Sequence, residues 1–114
     1  KVMDIMENEL VSVAMQIILH AGDARIKVEI ALKQAKQFNF TQAKETIQEA
    51  EECIHQAHIS QTEVIQNETR GKTYEPCLLF AHAQDTLMTI MSELNLAKEL
   101  IDFFEIMNNK IENN

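Results

Sequence analysis

Four histidines, His20, His55, His58 and His82, are the side chains here best suited to proton or group transfer near neutral pH. His55 and His58 stand three apart and would be neighbours on a helix. Two histidines without a further ligand do not make a metal site, and no His-x3-His spacing of a helical zinc site occurs. Taken singly, a histidine is more often structural than chemical. His82 departs from that expectation because of its company: Leu78 and Asp85 lie about one turn away on either side, with Gln84 and Thr86 close by. Asp85 is placed to orient the ring or raise its pKa. A neutral imidazole nitrogen accepts a phosphoryl group well and, once loaded, leaves well. No Ser-His-Asp or Cys-His arrangement is legible. No Gly-rich phosphate loop is present, so a phosphoryl group would have to arrive from another protein. Cys53 and Cys77 match no metal spacing and read as two reduced cytosolic thiols.

Long helices must carry these residues. Among 114 residues Gly occurs twice, Pro once and Trp never, whereas sheets need the turns that Gly and Pro provide. The length fits one domain, 1–114, large enough for a core. Apolar residues at helical spacing predict a first helix over about 3–37, with Met6, Leu10, Val13, Ile17, Ala24, Val28, Ala31 and Ala35 on one face. Gly22 interrupts it and marks a bend or a close approach. The pattern breaks at 37–40, and Asn39 is the expected N-cap of a second helix over about 40–66. Ala43, Ile47, Ala50, Ile54, Ala57, Gln61 and Val64 form that helix's stripe, with Gln61 the polar intruder. Residues 67–73 read as a connection. A third helix starts near Pro76, which suits a first turn, and runs to about 111, ahead of a frayed tail. Its core stripe is Phe80, Ala83, Leu87, Ile90, Leu94, Ala97, Ile101 and Phe104. The fold class is all-α, an antiparallel up-down-up three-helix bundle.

The third helix carries a second stripe. At ~100° per residue, Leu78, Asp85, Thr89, Leu96 and Phe103 fall together, away from the core face. A line of apolar residues facing solvent is explained by self-association, and Met88 and Met91 would widen that surface. Asp85 is the odd residue in it. A carboxylate in an apolar contact must be paired, protonated or metal-bound, unless it sits at a wet edge. On a symmetry axis, copies of Asp85 would converge on a hard cation such as Mg²⁺.

Composition excludes several roles. The 18 acidic against 10 basic residues give a net charge of −8, which disfavours nucleic acid and anionic lipid. An acidic face can still steer a basic protein partner. No apolar run approaches the ~18–20 residues that span a bilayer, so direct membrane insertion is not expected. No signal peptide is visible, and Lys as the first residue suggests that the native start is missing.

The stretch His82-Ala83-Gln84-Asp85-x-Leu87-Met88-Thr89 resembles the active-site segment of the enzyme IIA component, lactose/cellobiose class, of the bacterial sugar phosphotransferase system (PTS). Ala21-Gly22-x-Ala24-Arg25 leading to Ala31-Leu32-Lys33-Gln34-Ala35-Lys36, and Ala57-His58-x-x-Gln61-Thr62, are similar to that family's first and second helices. The resemblance covers nearly the whole chain. It implies His82 as the phosphorylated residue and a homotrimer with a metal held at its axis by Asp85. It also implies receipt of phosphate from the phosphocarrier HPr and delivery to a cysteine of a IIB component, in the cytoplasm, during uptake of a β-linked disaccharide. Leu78 and Leu79 would then lie in the docking surface, and Gln84, Gln61 and Arg25 near the phosphoryl group. Thr86 stands where many relatives carry His, which removes any helper at that position, and His20 replaces a small or amide residue. A trimeric interaction protein without carrier activity and a small metal-binding bundle stay open as alternatives. The sugar is not legible, because a carrier of this kind never touches it.

Overall fold

The computed structural model describes residues 8–113, which form three helices: α1 (Glu9–Lys36), α2 (Phe40–Thr69) and α3 (Leu78–Glu112). The expected start at residue 3 and the place of Met6 lie outside the described residues. Helix α1 packs along both neighbours, and the three run up, down and up in a slender rod of 64 × 28 × 17 Å. The slenderness follows from the core side chains. Ala14, Ala21, Ala24 and Ala31 of α1 and Ala43, Ala50 and Ala57 of α2 are fully enclosed. Such small side chains let helix backbones approach closely. The largest wholly buried side chains are Ile17, Leu87 and Ile90. Val13 and Phe104, expected in the core, are only half-buried at its margin.

The two connections use the same device. Helix α1 ends with the N–H of Phe38 bonded to the Ala35 carbonyl and the N–H of Asn39 to the Gln34 carbonyl, both 2.9 Å. Helix α2 ends with Gly71 bonded to Glu68 and Lys72 to Asn67, both 3.0 Å. Each pair is a Schellman cap, which satisfies two orphan carbonyls and needs a left-handed residue just past the helix. Gly71 takes that position at φ +100°, as expected of glycine; in α1 it falls to Phe38 at φ +66°.

Several expected termini differ. Asn39 occupies the N-cap position of α2, but its side chain makes no capping bond. Its N–H closes the preceding helix instead. The side-chain cap that does form is at Asn8, whose Oδ1 accepts the Leu10 N–H at 2.9 Å. Pro76 precedes the first helical residue of α3 by two positions rather than sitting in the first turn. The C-terminal tail is helical through Glu112 instead of frayed, so α3 overhangs the α1–α2 turn. Gly22 is no close approach: α1 runs through it, and a Cβ there would meet nothing within 4 Å.

A bulky residue in the left-handed region costs roughly 1–2 kcal/mol. The Phe38 ring offsets this by packing at 6.3 Å from Phe40 and 5.5 Å from Phe104, centroid to centroid. Aromatic pairs of this kind contribute about 0.5–1.5 kcal/mol each. Phe38→Ala loses the ring and keeps the strain, whereas Phe38→Gly loses both. In denaturant unfolding the Gly variant should exceed the Ala variant in stability by about 1 kcal/mol; equal stabilities would show that the turn is not strained.

Candidate functional site

His82 sits in the second turn of α3, exposed, and its ring makes no hydrogen bond among the described residues. The backbone holds it firmly all the same. Phe80 and Ala83, flanking it in sequence, are buried at 8% and 0% relative exposure, so the helix face beneath it is locked into the core. Thr86 donates its hydroxyl to the His82 carbonyl at 2.9 Å, bonding one turn back. The arrangement is a rigid shelf with a free imidazole on it.

Leu78 lies one turn before His82 and is 87% exposed, the most exposed large apolar residue of the bundle's described part; Leu79 beside it is half-buried. Gln84 is half-buried and Asp85 is exposed. No hydrogen bond joins Asp85 to His82, so within one protomer the carboxylate does not orient the ring as expected. Two further residues are not gathered at the site. Gln61 is 9% exposed on α2, facing inward. Arg25 reaches from α1 to Glu93 in a paired bond, Nε to Oε1 at 3.1 Å and Nη2 to Oε2 at 2.9 Å. Glu93 lies eleven residues beyond His82, about 16 Å along the helix. That carboxylate, through the hydrogen bond first and its charge second, holds the Arg25 guanidinium above its ordinary pKa.

The second stripe of α3 faces outward. Leu96 is 63% and Phe103 61% exposed, and Leu100, Met107 and Ile111 continue the line into the overhang. Met88 belongs to its flank, but Met91 does not: it is half-buried and touches His58 of α2. A companion row on α1 escaped the sequence reading. Met15, Leu19, Ile26 and Ile30 are exposed opposite the α1 core, at steps of four and seven that a heptad count would have caught.

Among the described residues no group of three or more His, Cys, Asp or Glu side chains could hold a metal ion. Within the outward stripe of α3, Asp85 is the one carboxylate that a protomer presents.

Residues 12–105 match the family described as PTS system, Lactose/Cellobiose specific IIA subunit. The chain belongs to this family. It is 40% identical over 100 residues to the lichenan-specific phosphotransferase enzyme IIA component of Bacillus subtilis, covering 88% of this chain and 91% of that one. The crystal structure of the PTS cellobiose-specific enzyme IIA from Bacillus anthracis superposes with a TM-score of 0.84 at 39% identity, over 90% of this chain and 94% of the other. The IIA(chitobiose) chain of Escherichia coli, solved in solution as a complex with HPr, gives a TM-score of 0.76 at 38% identity, over 88% and 97%. This chain is thus an enzyme IIA component of a sugar phosphotransferase system.

The cysteines of this IIA chain are both free. Burial, and then the charge of Asp23, pushes the Cys53 thiol above its ordinary 9.0. The folded state therefore retains this proton to higher pH than the unfolded chain does. The resulting stabilisation is full below the ordinary thiol pKa and is lost as pH rises through the folded value. Between pH 8 and 10.5 the denaturant midpoint of the wild type should fall more than that of Cys53→Ala; parallel falls would show that the thiol is not held up.

Proposed function

We propose that this chain is a cytosolic phosphoryl carrier in which His82 is the loaded residue. The observation that carries the reading is an exposed, unpartnered imidazole on a rigid helical shelf, beside Leu78, in a chain of the IIA family. No helix of the described residues is long and apolar enough to cross a membrane, which suits a carrier working between other proteins.

The transfer takes two displacements. A ring nitrogen of His82 attacks the phosphorus of phospho-HPr, the N–P bond forming as the bond to the donor breaks and its electron pair returns to the donor. A cysteine thiolate of the IIB component then attacks the same phosphorus. The S–P bond forms, the N–P bond breaks, and its pair returns to the imidazole. The IIC membrane component uses the group as it takes up a β-linked disaccharide. Both partners must bring their reacting atoms within ~3–3.5 Å of one phosphorus. They therefore share one docking patch, for which Leu78, Leu79 and the surface around His82 are available. Gln84 is the polar side chain nearest in sequence; Arg25, committed to Glu93, and Gln61, turned inward, would need rearrangement or another protomer to take part.

The assembly we infer is a homotrimer packed through the α3 stripe. Its support is the outward line of Leu96, Leu100 and Phe103, more apolar surface than a solitary domain needs. Asp85, with no partner inside the protomer, would meet its copies there. A single carboxylate does not fit an ion, but three copies would supply the oxygen donors that Mg²⁺ prefers and relieve their mutual repulsion.

Two experiments test these readings. Incubation with a general phosphotransferase mixture followed by mass measurement should show one phosphoryl group on the wild type and none on His82→Ala. Helicity and thermal unfolding should barely change, since an exposed ring packs little. The adduct should be labile in acid and stable in base; a label on His20, His55 or His58 would overturn the assignment. For assembly, Asp85→Leu should keep or strengthen the trimer and make it indifferent to chelator, because buried charge clusters are often less stabilising than packed hydrophobes. The wild type should loosen in chelator. A monomeric wild type in sedimentation under all conditions would remove the stripe as an interface.

A further inference from the structure

We propose that the cleft between α2 and α3 around His58 and Met91 is a binding site for a soft monovalent metal ion, of the class of Cu(I) and Ag(I). His55 and His58 alone make a poor site because they lack a third donor. The fold brings a thioether from the facing helix against one of them: His58 Nε2 lies 2.9 Å from Met91 Sδ. That is close for a ring nitrogen and a sulfur, which is larger than oxygen, and both side chains are half-buried. The cleft they share is about 230 Å³ and is also lined by His55, Asn95 and the apolar Ile54 and Leu94.

The donor set selects the ion. A thioether is a soft ligand that hard cations such as Mg²⁺ ignore, and thioether with imidazole suits Cu(I). Glu51, the carboxylate on this cleft, is held by Lys98 at 2.9 Å, so the available donors are neutral. With neutral donors and apolar walls, a monovalent ion is favoured over a divalent one, whose desolvation costs far more. An ion between His58 and Met91 needs bonds of about 2.0–2.3 Å, the range first-row ions make to nitrogen and sulfur, so the two atoms must part by roughly 1 Å. Methionine's three rotatable bonds permit that without moving either helix. The site faces α2, nine residues beyond His82 and about 13 Å along the helix, so it is separate from the carrier histidine.

The test uses the intact chain with ¹³C-methyl methionine. In a Cys53→Ala/Cys77→Ser background, where no thiol takes the first equivalent, Ag(I), a redox-inert probe, should shift the Met91 methyl resonance at one equivalent while the exposed Met88 stays in place; Zn(II) should not move either. Affinity for Cu(I) is then measured without oxygen against a chromogenic chelator in the same background. Met91→Leu, which keeps the volume, and His58→Gln should each weaken binding at least tenfold, and His55→Gln less. A Met91 resonance that moves no more than that of Met88 would by itself overturn the proposal. So would affinities unchanged by Met91→Leu and His58→Gln.

Discussion

The close approach of helices along alanines is the constraint on which the rest of this molecule depends. Ala14, Ala21, Ala24 and Ala31 on α1 meet a partner helix in which Ala43, Ala50 and Ala57 recur every seven residues, all at 0% exposure. Alanine buries little area, so each contact contributes little hydrophobic free energy. It compensates by bringing backbones together and by losing no side-chain entropy. The consequence is an inversion of the usual distribution. Small residues fill much of the interior, while Leu78, Leu96, Leu100, Phe103, Met15 and Leu19 lie outside. A thin bundle with large apolar residues on its surface is better suited to assembly than to a solitary existence, which is why the proposed trimer follows from the core as much as from the stripe.

Ion pairs then tie the grooves together. Arg25–Glu93 joins α1 to α3, Lys27–Glu49 joins α1 to α2, and Lys44–Glu105 and Lys98–Glu51 join α2 to α3. Exposed pairs of this kind add little stability individually. Their value here is register: each fixes which turn of one helix faces which turn of the next. The alanine positions of the α1–α2 seam discriminate less between registers than the larger Ile17, Ile47 and Ile54 do. The charges distinguish the registers that the alanines do not.

The helices were legible in the sequence because periodicity 3.6 survives over spans of 28 to 35 residues. Their ends were not, for particular reasons. Asn39 has the residue type of an N-cap, yet the Schellman closure of α1 claims its N–H, and backbone capping leaves no compositional trace when Phe38 stands where glycine is expected. Gln61 looked like an intruder and is buried, as its stripe demanded. Met91 was misassigned because it is three residues from Met88, a rotation of only ~60° between helix flanks. Spacing along α3 cannot tell which flank faces solvent until α2 is in place. The isolation of Asp85 from His82 was equally invisible, since one helical turn permits a bond without requiring it. His82 itself was legible through its neighbours and the family resemblance, and its exposure through the buried Phe80 and Ala83 on either side.

In the carrier role proposed for it, His82 is also governed by those two neighbours. Anchoring through Phe80 and Ala83 fixes the shelf, so the ring moves about its own two side-chain torsions and little else. A phosphoryl group in flight needs donors for its equatorial oxygens. Thr86 does not supply one: its hydroxyl proton is already given to the His82 carbonyl. What remains of Thr86 toward solvent is lone pairs, which repel phosphate rather than bind it. The half-buried Gln84 has amide protons to offer, and the rest of the donor set must come from the proteins that dock. A carrier built this way holds little that favours the transition state on its own. In the proposed role it would become competent only when a partner completes the site, which would keep a loaded histidine from losing its phosphoryl group to water between encounters.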